Sequence, residues 1–282
     1  ACSAPARASA PAAPREAQLG MLVDTTECIG CRKCEFACNR EHHLNALPLE
    51  AYEETAVYDN HRRPDAQAFT VVNRFDNADD PERPLYVKTQ CMHCLEPGCV
   101  SACLVGALTT EANGIVAYDA DKCLGCRYCM LACPFDVPAY EFKNAFTPKV
   151  QKCSFCMDRV AEEGGLPGCA EMCPPMCLTF GKREELLALA HEKQQLDPER
   201  YADHIYGEHE AGGTSWLYLM PRGIEDIGLP KLPEAPVPGL TQSIQHGVFK
   251  FGMLPVMVFG LFGAARNLLG DTQPHDVDGG EQ

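Results

Sequence analysis

Short apolar stretches recur along the chain, and polar loops that contain cysteine separate them. Brief apolar runs bounded by turn residues predict β-strands. Between two of these runs lies Asn113-Gly114, a pair that readily adopts the positive φ of a tight hairpin turn. Because the arrangement repeats, it predicts hairpins on either side of the cysteine loops. The stretches before cysteine loops are 20–23, 85–87, 115–119 and Val150, and those after them are 106–109 and 178–180.

Three longer segments also carry a readable pattern. Residues 183–195 have apolar side chains at helical spacing and predict a helix packed on the core. Residues 215–220 predict a strand. Residues 39–84 are polar apart from a strand candidate at 69–72, and they interrupt the repeat. We expect this insertion at the surface, either against a partner or as a plain loop.

The two ends of the chain differ from its middle in composition. Residues 1–18 are rich in alanine and proline, which predicts a disordered lead or the remains beyond a signal peptide. Cys2 within it is expected to be an unpaired thiol rather than a lipidated cysteine. Residues 201–240 hold the only tryptophan and closely spaced prolines. They predict an extended partner-binding segment and a stiff linker, outside a cluster domain at 19–200.

An apolar segment near the C-terminus predicts one transmembrane helix over residues 241–270, with a polar tail at 271–282. Its uncharged part, 251–265, is shorter than the roughly 20 residues that a bilayer requires. If Lys250 snorkels, residues 248–269 provide about 22 residues, which suffices. The alternative is a buried soluble helix. The flanking charges leave the orientation in the membrane open.

Sixteen of the eighteen cysteines fall into four groups of four. The third group has the spacing C-x2-C-x2-C-x3-C-P, with which bacterial ferredoxins ligate a [4Fe–4S] cluster while the fourth cysteine serves another cluster. The first group repeats this spacing without the proline, and the other two lengthen the middle gap. Four such groups with cross-ligation predict four [4Fe–4S] clusters. The groups are Cys28, Cys31, Cys34, Cys38; Cys91, Cys94, Cys99, Cys103; Cys123, Cys126, Cys129, Cys133; and Cys153, Cys156, Cys169, Cys173.

Three other interpretations of these cysteines compete. Disulfides hold small secreted domains together, but a fourfold C-x2-C pattern with proline after the last cysteine is not typical of them. Structural zinc takes pairs of cysteines rather than runs of three plus one. A mixture with one empty group or a [3Fe–4S] centre would follow from the loss of a ligand. No group lacks a cysteine, which disfavours the mixture.

Charge and missing motifs restrict the function further. The formal net charge of −15 opposes nucleic-acid binding, which needs a basic face. A cubane held by four thiolates has no open iron position, so it exchanges single electrons and does not bind substrate. The chain has neither the C-x3-C-x2-C run of radical enzymes nor a nucleotide-binding glycine motif. We therefore predict electron transfer and no catalytic residue.

Several residues beside the ligand cysteines are expected to lie at the surface or to pack in the core without a role in electron transfer. His93 lies between two of these cysteines and could tune a cluster by hydrogen bonding, although a surface position is favoured. Cys177 is expected to be a small buried hydrophobe. The neighbouring cations are expected to be solvated, although a nearby cation raises a cluster's potential in principle; they are Lys88, Lys122, Arg127 and Lys152.

Longer motifs around the cysteines carry a family resemblance. They are QCMHC at 90–94, GCRYCMLACP at 125–134, KCSFC at 152–156, GLPGC at 165–169, FG at 180–181 with REEL at 183–186, and YGEHEAGGT at 206–214. With them, residues 19–270 resemble the four-cluster ferredoxin-type iron–sulfur (beta) subunits of the dimethyl-sulfoxide-reductase, formate dehydrogenase and membrane-bound hydrogenase family. The C-terminal part is most similar to the membrane-anchored hydrogenase accessory type.

The resemblance implies how the groups share clusters: the first pairs with the fourth, and the second with the third. Two departures from the family pattern are Leu104 in place of a proline and the additional Cys177. The implied ligands are Cys28, Cys31, Cys34 and Cys173 for cluster I; Cys153, Cys156, Cys169 and Cys38 for cluster II; Cys91, Cys94, Cys99 and Cys133 for cluster III; and Cys123, Cys126, Cys129 and Cys103 for cluster IV.

The expected architecture is α+β, with two ferredoxin-like modules that form an internal repeat and one C-terminal transmembrane helix. The resemblance implies a relay of single electrons between a catalytic or donor subunit (hydrogenase, molybdopterin enzyme or cytochrome) and a multi-helix quinone-reactive subunit of polysulfide-reductase type, or a cytochrome b. It also implies the bacterial cytoplasmic (inner) membrane, with the cluster domain on the periplasmic side of the lipid bilayer. The alternatives are a stand-alone iron–sulfur redox enzyme and a non-redox scaffold in which metal only holds the fold.

Overall fold

The computed structural model describes residues 17–45, 47–77, 80, 82–142, 149–161, 165–223, 227–239, 255 and 257–266. The chain divides into two units, Ala1–Pro238 and Gly239–Gln282. Cys2, most of the predicted lead, most of the predicted transmembrane segment and the polar tail lie outside the described residues.

In the second unit, residues 257–266 are helical and their apolar side chains are exposed. Phe259 and Phe262, for example, are 76% and 70% exposed. Among the helices formed by the described residues, none combines the length and the apolar composition that a membrane span requires.

The first unit contains short strands and helices arranged around the cysteine loops. The strands are β1 (Leu19–Asp24), β2 (Thr70–Phe75), β3 (Leu85–Gln90), β4 (Leu108–Thr110), β5 (Val116–Tyr118), β6 (Ala139–Tyr140), β7 (Val150–Gln151), β8 (Leu178–Lys182), β9 (Tyr201–Tyr206) and β10 (Trp216–Pro221). The α-helices are α1 (Lys33–Glu41), α2 (Gly98–Ser101), α3 (Tyr128–Leu131), α4 (Met157–Ala161), α5 (Gly168–Glu171) and α6 (Arg183–Leu196). The predicted helix at 183–195 and the predicted strand at 215–220 are confirmed as α6 and β10.

A four-stranded sheet has the order β8-β1-β10-β9, and its two central strands, β1 and β10, are buried on both faces. Alternate side chains of a strand point to opposite faces. In β10, Trp216 and Tyr218 pack towards the cysteine loops, whereas Leu217 and Leu219 pack with Leu186 of α6. Because both faces are covered, the strand is apolar throughout rather than alternating with polar residues.

Pairing between strands divides the cysteine groups into two modules. β1 precedes the first group and pairs antiparallel with β8, which follows the fourth, with Leu22 opposite Thr179. β4 follows the second group and pairs with β5, which precedes the third, with Thr109 opposite Ala117. We call the first and fourth groups with β1 and β8 module A, and the second and third groups with β4 and β5 module B.

Neighbouring strands pair antiparallel as β2 with β3 and β6 with β7, and the hairpin predicted at Asn113-Gly114 is confirmed by β4 and β5. Their turn contains Gly114 at φ 82°, and the Glu111 amide donates to the Ile115 carbonyl at 2.9 Å. For β1 the prediction was wrong, since its partners β8 and β10 come from distant parts of the sequence. A strand pairs with whichever edge completes its burial, and sequence proximity does not decide this.

Two segments lie deeper than the sequence suggests. Tyr52, Val71 and Val72 of the insertion at 39–84 are buried, which corrects the expected surface position, and β2 pairs with β3. Residues 201–221 were expected in a separate extended segment, but they form β9 and β10 of the central sheet. The proline-rich stretch contacts this sheet. The Tyr206 hydroxyl of β9 donates to the Pro230 carbonyl at 2.7 Å.

Candidate metal centres

Each cysteine group begins in a loop and then enters a short helix. Cys34 and Cys38 lie on α1, whereas α2, α3 and α5 carry Cys99, Cys129 and Cys169. α1 contacts α5, and α2 contacts α3. None of the cysteines from Cys28 to Cys177 forms a disulfide, and among them only Cys126 is exposed.

The residue before the second cysteine of every group has a left-handed backbone. The φ angles are 68° at Gly30, 45° at His93, 69° at Gly125 and 60° at Phe155. Glycine adopts this conformation freely, but histidine and phenylalanine are strained there, and such strain concentrates at functional sites. The four groups therefore share one backbone turn, although only two of them have glycine at this position.

This turn directs backbone amides towards the cysteine sulfurs. The Gly125 amide donates to Cys123 Sγ at 3.4 Å, and the Phe155 amide donates to Cys153 Sγ at 3.3 Å. Successive inward N–H groups form a concave site that favours an anion. Such a cradle suits a thiolate-ligated cluster, whose charge is negative.

A second turn repeats three residues after the last cysteine of groups two, three and four. Gly106, Asp136 and Met176 have φ between 49° and 64°, and each amide donates to the carbonyl of the preceding ligand-type cysteine at 3.1–3.3 Å. The first group lacks this turn because Cys38 lies inside α1, which continues to Glu41. The repeat is thus structural as well as sequential.

In module A, a cavity brings together cysteines that are distant in sequence. Cys28, Cys31, Cys34 and Cys173 line it. A second set surrounds Cys38: burial raises the pKa of its thiol well above the usual value, and neighbouring thiolates raise it further. Those neighbours are Cys153, Cys169 and Cys156.

Module B contains two corresponding sets. The pKa of Cys94 is raised well above its usual value by burial and then by Cys99, Cys133 and Cys91. Burial raises the pKa of Cys129 to about 11, with further contributions from Cys103, Cys123 and Cys126. In both modules, the thiols named as neighbours of Cys38, Cys94 and Cys129 are those that the resemblance assigns to the same cluster.

The donor set fits iron–sulfur clusters. Buried thiols with raised pKa values keep their protons unless a metal coordinates the sulfur and displaces the proton to solvent. Amides that point towards the sulfurs supply the hydrogen bonds that thiolate-held clusters accept. In a cubane each thiolate binds a different iron, so the ligands need not converge on one ion. Among the described residues, no three His, Cys, Asp or Glu side chains converge in that way.

Three residues beside the ligands differ from expectation because they are buried. His93 is 0% exposed: its Nδ1 accepts from the Val116 amide at 3.1 Å, and its Nε2 lies 3.1 Å from the Cys153 carbonyl. An Nδ1 that accepts requires the neutral ring, and burial lowers the pKa of His93. Lys152 is 6% exposed and donates to the Val116 and Cys153 carbonyls. Lys88 is 3% exposed.

The positions of Lys88, Lys152 and His93 correct the predictions of solvated lysines and of a surface histidine. Lys122 and Arg127 are exposed, as predicted. No spacing rule reveals such burial, because the residues that cover these side chains come from other groups.

Two more contacts of cysteines were not predicted from the sequence. Cys177 is buried as predicted, but its Sγ also lies 3.3 Å from Cys173 Sγ. His42 Nε2 lies 3.7 Å from Cys156 Sγ and 3.3 Å from Ser154 Oγ. His42 and Cys156 are far apart in the chain, so no local signal predicts their contact.

Comparisons with known proteins agree with this geometry. Two family models, each described as a 4Fe-4S dicluster domain, match residues 27–107 and 83–183. The hydrogenase-2 operon protein HybA of Shigella flexneri is 35% identical over 95% of this chain and 89% of its own length. The formate dehydrogenase iron-sulfur subunit of Haemophilus influenzae is 34% identical over 88% of this chain and 78% of its own length.

A protein of Nitratidesulfovibrio vulgaris is 46% identical over 88% of this chain. The matched part covers 66% of that relative's length, slightly less than two thirds. Two matched dicluster domains and sixteen gathered cysteines correspond to four [4Fe–4S] clusters. With HybA matched over nearly the whole length of both chains, this chain belongs to the 4Fe-4S dicluster family of iron–sulfur electron-transfer subunits that includes HybA and the formate dehydrogenase iron-sulfur subunits.

Proposed function

We propose that the sixteen clustered cysteines ligate the four clusters in the cross-paired sets defined above. Cluster I takes Cys28, Cys31, Cys34 and Cys173; cluster II takes Cys38, Cys153, Cys156 and Cys169; cluster III takes Cys91, Cys94, Cys99 and Cys133; and cluster IV takes Cys103, Cys123, Cys126 and Cys129. The observation that carries the assignment is the pairing of β1 with β8 and of β4 with β5. These pairs hold the first group beside the fourth and the second beside the third.

In this proposal the four sites follow one another in the order I, II, III and IV. Cys34 of cluster I interacts electrostatically with Cys169 of cluster II, and Cys153 of cluster II with Cys91 of cluster III. Cys99 of cluster III likewise interacts electrostatically with Cys129 of cluster IV, which places cluster IV at the end of the order. A [4Fe–4S] cluster supplies one-electron chemistry when bound. The protein supplies thiolate ligands, inward amides and a buried setting that excludes water from the inner sites.

Exposed apolar side chains at both ends of this series favour two different partners. Ile29 and Met176, beside cysteines of cluster I, are 60% and 79% exposed. Leu104 and Leu124, beside cysteines of cluster IV, are 62% and 70% exposed. Exposed apolar patches are typical of protein interfaces. One partner would supply electrons and the other would receive them.

The names of the relatives suggest what these partners are. HybA is a hydrogenase-2 operon protein, and other relatives are subunits of formate dehydrogenase. We infer a catalytic partner of hydrogenase or molybdopterin type, or a cytochrome donor, and a quinone-reactive multi-helix membrane subunit as acceptor. A cytochrome b acceptor would be recognised by its haem absorption in the purified complex.

We also infer that residues 241–270 anchor the chain in the bacterial inner membrane, with the cluster domain on the periplasmic side. The exposed apolar side chains of residues 257–266 support this inference. A helix with apolar side chains on its outer surface is stable in lipid and unfavourable in water. The anchor is separable in sequence from the sixteen ligands.

Ligation is tested by counting iron and acid-labile sulfide in protein purified without oxygen. The wild type should contain about sixteen iron atoms, four for each cluster. Cys129→Ala should lose or convert one cluster and interrupt electron flow to quinone, while the catalytic partner still reduces artificial dyes. Cys177→Ala is the matched control, because Cys177 is a buried cysteine outside the proposed ligand sets, and it should retain all four clusters. Full iron content and unchanged quinone reduction in Cys129→Ala would refute the assignment.

The anchor is tested by deleting residues 241–282. The truncated chain should leave washed membranes and keep its iron, because the deleted segment contains no ligand. The full-length chain, treated in the same way, is the control. Retention of the truncated chain by membranes that lack the partner subunits would contradict the anchor.

A further inference from the structure

Lys88 is a buried cation on the wall of the cluster I cavity. It lies on β3, before the second cysteine group, but it lines the cavity together with Cys28, Cys31, Cys34 and Cys173 of module A. Its side chain therefore reaches from a strand attached to one module into the site of the other.

The polar contacts of the Lys88 ammonium are with neutral groups. Nζ donates to Gln90 Oε1 at 2.8 Å and lies 4.3 Å from the centre of the Trp216 ring. Gln90 Nε2 in turn donates to the Tyr218 hydroxyl at 2.7 Å, and that hydroxyl donates to the Lys88 carbonyl. Within the described part of the chain, no carboxylate forms an ion pair with Lys88.

Burial of an unpaired ammonium is unfavourable unless negative charge lies nearby. Burial lowers the pKa of Lys88, but the Cys169, Cys34 and Cys153 thiolates outweigh burial and raise it. Cys34 belongs to cluster I, and the other two belong to cluster II. Four module A cysteines also line the cavity that Lys88 lines, so the negative charge available to compensate this ammonium is that of the module A sites.

A positive charge beside a cluster favours the reduced state, which is more negative by one electron. We infer that Lys88 is a fixed cation that raises the reduction potentials of clusters I and II relative to clusters III and IV. The inference rests on the proposed ligand sets. Lys88 acts on the clusters through its charge and does not contact a substrate, so it is not a catalytic residue.

The test is a redox titration of the intact protein, followed by electron paramagnetic resonance together with iron and sulfide counts. Lys88→Met and Lys88→Gln remove the charge, whereas Lys88→Arg keeps it. Lys122→Met is the matched control, since Lys122 lies beside Cys123 but is exposed and paired with Asp119 at 2.6 Å. The titration reads potentials directly and needs no turnover.

Two of the four midpoint potentials should fall in each neutral variant. The expected fall is about 59 mV or more, which is a tenfold change in the ratio of reduced to oxidised cluster for one electron. Lys88→Arg and Lys122→Met should leave all four near the wild-type values. Four unchanged potentials in the neutral variants, or four that fall together, would overturn the inference.

Assembly failures also decide the question. If both neutral variants lose module A iron while Lys88→Arg keeps it, the charge serves cluster assembly rather than the potentials, and the inference is overturned. If Lys88→Arg loses this iron as well, the site needs the shape of lysine and the inference is wrong. A wild type without iron and sulfide would instead refute the proposed function, whereas normal iron with unchanged potentials refutes only the role of Lys88.

Discussion

The Glu35 carboxylate attaches the insertion at 39–84 to helix α1, which carries Cys34 and Cys38. Its side chain is 4% exposed. It accepts hydrogen bonds from Arg32 at 3.1 Å, from Arg62 and from the Val72 amide at 2.7 Å. Replacement by alanine would leave two guanidinium groups and one backbone amide without this partner.

The cost of Glu35→Ala follows from this burial. Removal of one member of a buried ion pair typically costs about 3–5 kcal/mol, because the remaining charge stays uncompensated. Arg62 is 24% exposed and regains some water, so the expected value is at the lower limit, about 3 kcal/mol. For a domain of this size that corresponds to a fall in melting temperature of roughly 6–12 °C.

The assay is anaerobic thermal unfolding followed by loss of cluster absorbance. Glu35→Gln should lose less, because its amide oxygen still accepts from Val72 while the charge is gone. Glu50→Ala is the control, since Glu50 is an exposed carboxylate of the same insertion and should change stability by less than about 0.5 kcal/mol. If Glu35→Ala melts within experimental error of Glu50→Ala, this carboxylate does not hold the insertion on α1.

Three further predictions concern the central sheet. Burial raises the pKa of Asp24, but hydrogen bonds from Lys193 and Tyr201 help to outweigh it and lower the pKa overall. Asp24→Asn should therefore cost about 1–2 kcal/mol at pH 7, and denaturant midpoints should show the difference shrinking as the pH falls below about 4, the usual aspartate value. Leu217→Ala should cost about 2–5 kcal/mol in the same assay with iron content unchanged, since Leu217 is 0% exposed and packs on the face of the sheet away from the cysteines. Gly207→Ala should cost about 1–3 kcal/mol because φ is +97° and a Cβ would collide with the Trp216 carbonyl, as melting temperatures will test.

Each of these predictions has an outcome that would contradict it. A difference between wild type and Asp24→Asn that grows towards low pH would mean that the folded carboxyl has a raised pKa, the reverse of the expected sign. Loss of iron from Leu217→Ala at a temperature where the protein stays folded would mean that the two faces of the sheet are not independent. A Gly207→Ala protein as stable as the wild type would mean that the turn after β9 relaxes without strain.

The amino-acid sequence determined the features that depend on local spacing. The C-x2-C patterns predicted four [4Fe–4S] clusters because short loops of fixed length present thiols to one metal group. The apolar spacing of residues 183–195 predicted α6, and Asn113-Gly114 predicted the turn between β4 and β5. The burial of Cys177 also followed from its residue type. Each of these rests on neighbours within a few residues, and the local sequence carries that information.

Spacing within the sequence left open which distant segments meet, and the tertiary structure decided this. The pairing of β1 with β8, the burial of Lys88 and His93, and the contact of Glu35 with Arg62 all join segments whose separation follows no sequence period. Spacing places a side chain on a loop or strand, but its burial depends on what other segments place over it. For this reason the sequence predicted the clusters themselves, whereas the charges that surround them became visible only in the folded chain.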